Sequence, residues 1–355
     1  MRSLFVSMTR TAELPPSPRP CLLPGLARLW RDRHTLQLGL GRERAVLVEV
    51  ADPRAVRLLD LLDGTRSERQ VLAGTDVRPD HARALLDALR TAGLVVPAHT
   101  LLPRDLTGPR RTRLAAEAGA LAMATARLPG TPAQLLRRRL AARVTITGGG
   151  PLGPAIAVAL AQAGVGHVHP DLPGAVRPLD LVGTGIAATE IGRPLDAATR
   201  AAVQRAAPGT GTGPLRRPRP DLVVQLGSDR PAALLAAGHA QRRQPHLLVD
   251  VHEGVPAVGP LVRPPVGPCL RCLDLHRADR DPGWPALAAQ LASTPPATAC
   301  AVSLLLTATG YAVGEALSQL DGGTPETLGG SVEVVAPGTL RRRYWPPHPR
   351  CRCGG

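Results

Sequence analysis

Along the chain, the spacing of apolar positions switches between two residues and three to four, and each switch marks a change of element. After Leu29, the stretch WRDRHTLQLGLGRERAVLVEV alternates apolar and polar residues on either side of Gly39-Leu40-Gly41, which predicts a β-hairpin or short meander. Helical spacing takes over at residues 53–62, 67–73 and 79–92. In the last of these, Ala82, Leu85, Leu86 and Leu89 share one face, Gly93 stops the helix, and Leu94-Val95-Val96 reads as a strand returning to the sheet. Hairpin, helices and returning strand form a small winged-helix pattern over 21–98. The proline-rich, polar residues 1–20 are read as a disordered tail. Residues 99–142 read as a broken linker followed by helix.

From residue 143 the pattern becomes strand, turn, helix, repeated. A β-branched run, Val144 to Thr147, leads into Gly148-Gly149-Gly150-Pro151-Leu152-Gly153 and then an Ala/Leu-rich helix to Gln162. A second strand closes at Asp171. Helix with an interruption at ATEIGRP follows over 187–205, then a buried strand at 222–226, a helix at 231–242 and a strand at 246–251. Strands alternating with helices imply an α/β fold with a Rossmann-like, mostly parallel sheet covered on both faces.

The glycines match G-x-G-x-x-G in the setting that pattern requires. Glycine permits a tight turn and close approach of a phosphate, and the following helix offers its positive end. Gly148, Gly150 and Gly153 are therefore the expected nucleotide contacts. Asp171, about twenty residues on, is placed to accept from a ribose hydroxyl.

Composition adds limits. The 355 residues suffice for two domains, and the formal net charge of +15 comes from arginine alone, with no lysine in the chain. The arginines lie in small scattered clusters and aromatic residues make up only 2%, so base-stacking platforms are scarce and nucleic acid is not the expected partner. A DNA-binding winged helix would need Arg78, Arg83 and Arg90 on phosphates. The N-terminus lacks a secretory pattern, and 291–314 contains Pro295 and Pro296, reading as loop and buried helix rather than a membrane span. A cytoplasmic protein is expected, with its six cysteines as thiols or metal ligands.

Gly148 to Gly153, AQAGVGHVHPD, TEIGRP, DLVVQLGSD and the pairs Cys269-Leu-Arg-Cys272 and Cys351-Arg-Cys353 together resemble the ThiF/MoeB/HesA superfamily, the fold of ubiquitin-activating-type adenylyltransferases, over 143–355. Residues 21–98 resemble a PqqD-like leader-peptide recognition element. The whole chain thus resembles the ThiF-like partner of YcaO-type cyclodehydratases, which make azoline rings in ribosomal peptides. The resemblance implies a homodimer through the α/β domain and a peptide or protein substrate, bound as an added strand near residues 35–40. It also implies a structural zinc on Cys269, Cys272, Cys351 and Cys353, and a metal-binding aspartate at Asp229.

The same resemblance implies that active members bring an arginine, a lysine and two aspartates to ATP and Mg²⁺. Read position by position, Val182 stands for the arginine and Leu195 for the lysine. Pro173 and Gln225 replace acids at the ends of two strands, and Pro151 removes an amide from the turn. Losing one such charge-stabilising donor costs about 2–4 kcal/mol of barrier, or on the order of a hundred- to a thousandfold in rate. A catalytically degenerate scaffold that presents a peptide is therefore expected, with Arg193 or an arginine of another subunit as the candidate substitute cation. An active adenylyltransferase is the alternative. Cys300 reads as a buried thiol rather than an acceptor, and Cys351 is read as the ligand ahead of His348, three residues before it.

Overall fold

A computed structural model describes residues 2–4, 19–41, 45–50, 52–124, 129–215, 217, 219–227, 232–291 and 299–353. It divides into two compact units, Met1–Leu136 and Arg137–Gly355. The division falls inside a helix at Pro132–Ala141, whose Arg138 and Arg139 both bond to Asp321 of the second unit.

The first unit opens with β1 (Arg2–Leu4), β2 (Pro20–Leu22), β3 (Arg28–Trp30), β4 (Thr35–Leu38) and β5 (Val46–Glu49). The helices α1 (Leu58–Leu61), α2 (Glu68–Ala73) and α3 (Pro79–Thr91) follow, then β6 (Val95–Pro97), α4 (Ala98–Leu101) and α5 (Gly108–Ala124). Local chemistry explains the boundaries. Ser67 and Gln70 form a reciprocal capping box on α2, Pro79 starts α3 at a position where its missing N–H costs nothing, and Gly93 ends the run at φ 72°. Leu85, Leu86 and Leu89 of α3 join Leu36, Leu38, Val46 and Val48 in one core.

Three expectations change here. β1 pairs in parallel with β5, so Arg2–Leu4 is not structureless. An open strand edge carries unpaired amides, and β1 satisfies those of β5. The returning strand β6 pairs with β2 in a separate two-stranded sheet, where Leu22 and Val95 enter the common core, and not with the hairpin. The main sheet has the order β1-β5-β4-β3, so Thr35–Leu38 is paired on both sides and cannot accept an added strand. The outer strands of this sheet are β1 and β3, and β3 is the edge within the hairpin.

In the second unit, α6 (Pro132–Ala141) leads to β7 (Arg143–Gly148), α7 (Gly153–Gln162), β8 (His167–Asp171), α8 (Leu195–Ala206) and β9 (Leu222–Leu226). Then come α9 (Ala232–Gln241), β10 (His246–His252), β11 (Val255–Val262), α10 (Leu270–Arg280), α11 (Trp284–Leu291), α12 (Val302–Asp321), β12 (Gly330–Ala336) and β13 (Thr339–Tyr344). The sheet order is β13-β12-β11-β10-β9-β7-β8. It is parallel from β8 to β10 and antiparallel from β10 to β13, a Rossmann-like α/β architecture. The central β9 is buried at all five positions, as a strand covered on both faces must be. α7 and α12 pack against each other and supply alanines to the main core, where small side chains let backbones come close. Gly322, left-handed at φ 83°, caps α12.

Candidate functional site

β7 lies between β8 and β9, so the chain runs from it to one side and then to the other. That reversal opens a crevice at the carboxyl ends of the strands, where ligands bind in such folds. The glycine turn sits there. Gly148 has φ 101°, and a β-carbon on it would lie 2.2 Å from the Leu226 carbonyl oxygen, which only glycine tolerates. At Gly153 a β-carbon would meet Leu226 at 2.5 Å and Leu172 at 2.9 Å, so this glycine sets the close packing of α7 on the sheet. Gly150, at φ 156°, is less crowded.

Asp171 ends β8 beside Thr147, its register partner, whose hydroxyl donates to the carboxylate at 3.0 Å. The Asp171 side chain is exposed and available to a hydroxyl donor. Asp229, with Ser228 and Arg230, lies outside the described residues. Gln225, buried, donates through Nε2 to the Thr147 and Leu226 carbonyls at 3.5 and 3.4 Å, tying the ends of β7 and β9 together. An acid went unnoticed from sequence: Asp250 borders the same recess as Gly149, Gly150, Leu226 and Gly227. Its position at the end of a parallel strand was the available signal.

No cation lines this recess among the described residues; its walls are glycine backbone, Pro151 and the side chains of Leu152, Leu226, Val249, Asp250 and Val251. Leu195 is 3% exposed and belongs to the core, and Val182 packs against that core. Arg193 is committed to Glu190 at 3.1 Å, and Arg205 joins the same carboxylate at 3.2 Å. The Ala187 N–H bonded to Glu190, with those arginines behind it, holds its carboxyl below the usual range.

The four cysteines converge from two distant stretches. Cys269 caps the start of α10 and Cys272 lies one turn on, while Cys351 and Cys353 come from the C-terminal segment. The sulfurs lie within 4.8 Å of one another, with Cys269–Cys351 at 3.6 Å, Cys272–Cys353 at 3.3 Å and Cys269–Cys272 at 4.0 Å. A tetrahedral ion with bonds of about 2.3 Å to sulfur separates its thiolates by roughly 3.8 Å, so this set fits a metal such as zinc. His348 is turned away, its Nε2 on Asp279 at 2.8 Å and its Nδ1 accepting the Arg350 N–H at 3.1 Å. Cys300 donates to the Gly254 carbonyl at 3.3 Å, and burial pushes its thiol pKa up.

In the first unit, Arg78 pairs with Asp80 at 2.7 Å, and Arg90 pairs with Glu68 and Asp87. Two of the three arginines a DNA-binding reading needs are thus neutralised within the unit. The open strand β3 instead presents Leu29 and Trp30, 44% and 47% exposed, and Arg28 anchors it to Asp60 at 2.6 Å. No helix among the described residues is long and apolar enough to cross a membrane.

No protein-family model and no curated protein matches the sequence. Solved structures do match. E. coli MccB with AMPCPP and MccA is 13% identical at a TM-score of 0.65, covering 95% of this chain and 100% of that one. E. coli MccB with ATP, also 13% identical, gives 0.64 over 95% and 99%; another of these structures is described as the microcin C7 biosynthetic enzyme MccB. A heterocyclase in complex with substrate and cofactor is 17% identical at 0.59, with 95% of this chain matched to 40% of that longer one. At such identities the likeness establishes the fold: over nearly its whole length, this chain folds as MccB does.

Proposed function

We propose that this protein binds an extended peptide on a PqqD-like recognition element at 21–98. It presents that peptide to a modifying enzyme such as a YcaO-type cyclodehydratase, its ThiF-like unit serving as a catalytically degenerate scaffold. The observation that carries the reading is the recess at the glycine turn, where no cation among the described residues faces the place a phosphate would take. Adenylation builds negative charge on the α-phosphate and pyrophosphate, and fixed cations with Mg²⁺ are what stabilise it. Leu195 in the core and Arg193 on Glu190 supply none.

The unpaired edge of β3 supports the peptide half of the proposal. A strand added there gains main-chain hydrogen bonds from the edge and apolar contact from Leu29 and Trp30. The four cysteines are assigned one structural zinc, which would pin the C-terminal segment to α10. The proposal includes a cytoplasmic homodimer through the α/β unit, a pairing to which exposed Val302 and Leu306 at the start of α12 are suited.

Peptides selected from a phage-displayed random library on the full chain test the binding half. Bound peptide should slow amide exchange at Arg28–Trp30, and Leu29→Glu should abolish binding. Tight binding with no protection of β3 would refute the placement. The second reading is an ATP-dependent adenylyltransferase acting on a peptide or protein C-terminus, favoured by the intact glycine turn, the exposed Asp171 and the fold shared with MccB, which has been solved with ATP.

A further inference from the structure

A second and larger recess lies between the sheet and α10, enclosing about 100 Å³ where the one at the glycine turn encloses about 10 Å³. Alternate residues of a strand share a face, so Leu248, Asp250 and His252 of β10 form its floor, with Glu333 of β12 beside them and Arg277 and Arg280 of α10 on its wall. Asp250 borders both recesses.

The charges of this recess do not cancel. Glu333 is held between Arg341 at 3.1 Å and Arg343 at 3.0 Å. Asp250 accepts from the Val251 N–H at 2.7 Å and from His252 at 3.0 Å, a contact that raises the histidine's pKa. Both acids are therefore engaged. Arg277 lays its guanidinium over the Trp284 ring, 4.7 Å from the centroid, and the indole N–H in turn holds Asp274 at 3.0 Å. Neither Arg277 nor Arg280 forms a salt bridge within the described residues. Two guanidinium groups with unfilled donors face one small cavity.

We infer that this recess is a receptor for an acidic side chain of the bound peptide, with Arg277 and Arg280 as its two forks. The planar guanidinium matches a carboxylate with two parallel hydrogen bonds, and stacking on Trp284 orients one fork in advance. Because Asp250 separates the two recesses, a carboxylate held here lies next to the glycine turn. The site gives selectivity for acidic peptides and rests on the peptide-binding reading above.

The test uses the full chain and a fluorescein-labelled short poly-Glu peptide, with the poly-Gln peptide for comparison, by anisotropy at fixed ionic strength. The variant Arg277→Gln with Arg280→Gln should weaken poly-Glu binding by roughly tenfold or more, the scale of a lost charge-assisted pair. Arg137→Gln with Arg243→Gln removes the same charge from positions of the same unit that do not line the recess and should change it less than about twofold. Arg277→Lys with Arg280→Lys keeps the charge without the fork and should fall between. Equal losses in the Arg277/Arg280 and Arg137/Arg243 pairs, equal affinity for poly-Gln, or displacement of the probe by inorganic phosphate would overturn the inference. Leu29→Glu separates the two readings: if it abolishes binding of library-selected peptides while the Arg277 and Arg280 variant binds poly-Glu normally, the peptide reading stands and this one falls.

Discussion

Arg139 and Asp321 form a buried, two-pronged ion pair, Nε to Oδ1 at 2.9 Å and Nη2 to Oδ2 at 2.6 Å, with both side chains at most 3% exposed. It ties α6 to the last residue of α12. Removing one partner leaves the other charged and buried, which costs about 3–5 kcal/mol. Asp321→Ala should lower the unfolding free energy of the second unit, read from urea titration, by that much. Replacing both residues with apolar ones of similar volume should restore most of it, and a double variant as unstable as the single would count against the pair.

Gly148 and Gly150 differ in how much they resist a side chain. Both have positive φ, but only Gly148 would drive a β-carbon into a backbone oxygen. Left-handed backbone costs about 1–2 kcal/mol for an L-residue and overpacking roughly 1–3 more. Gly148→Ala should therefore lower the melting temperature well beyond Gly150→Ala.

His246 links stability to pH. It is 2% exposed, stacks on His239 at 4.1 Å, and burial, with His239 beside it, lowers its pKa to about 4. The unfolded chain, titrating near 6.5, binds the proton first, so stability is fully present above about pH 6.5 and is lost as pH falls towards 4, by about 3 kcal/mol. Urea unfolding of wild type against His246→Asn across that range should show a steeper acid loss for wild type. Parallel curves would remove His246 from the account.

Metal analysis of protein prepared without chelator should give one zinc per chain. Cys272→Ser should lose it and destabilise the second unit, since binding a structural metal is also folding free energy. Metal-free protein with unchanged stability would leave the four sulfurs without that role.

Much of this architecture was legible because local chemistry enforces it. Ser67 with Gln70 announces the start of α2, Gly93 ends α3, and the Gly148 turn cannot be written with another residue. Pairing partners were less so. The spacing revealed strands near Thr35–Leu38, but which edge stays open depends on β1 and β5, remote in sequence. β11 escaped notice because Pro256, Gly259 and Pro260 interrupt it and its buried run has no alternation. Arg277 and Arg280 carried no signal in a chain whose 43 basic residues are all arginine.

The claim that this chain presents rather than reacts is tested most directly by ATP–pyrophosphate exchange, with Mg²⁺ and a library-selected peptide bound to the full-length protein. With Val182 and Leu195 where the resemblance implies the two cationic clamps, each worth about a hundred- to a thousandfold in rate, the proposal predicts exchange at background with or without peptide. Rapid exchange that depends on the peptide would contradict the account and establish an active adenylyltransferase.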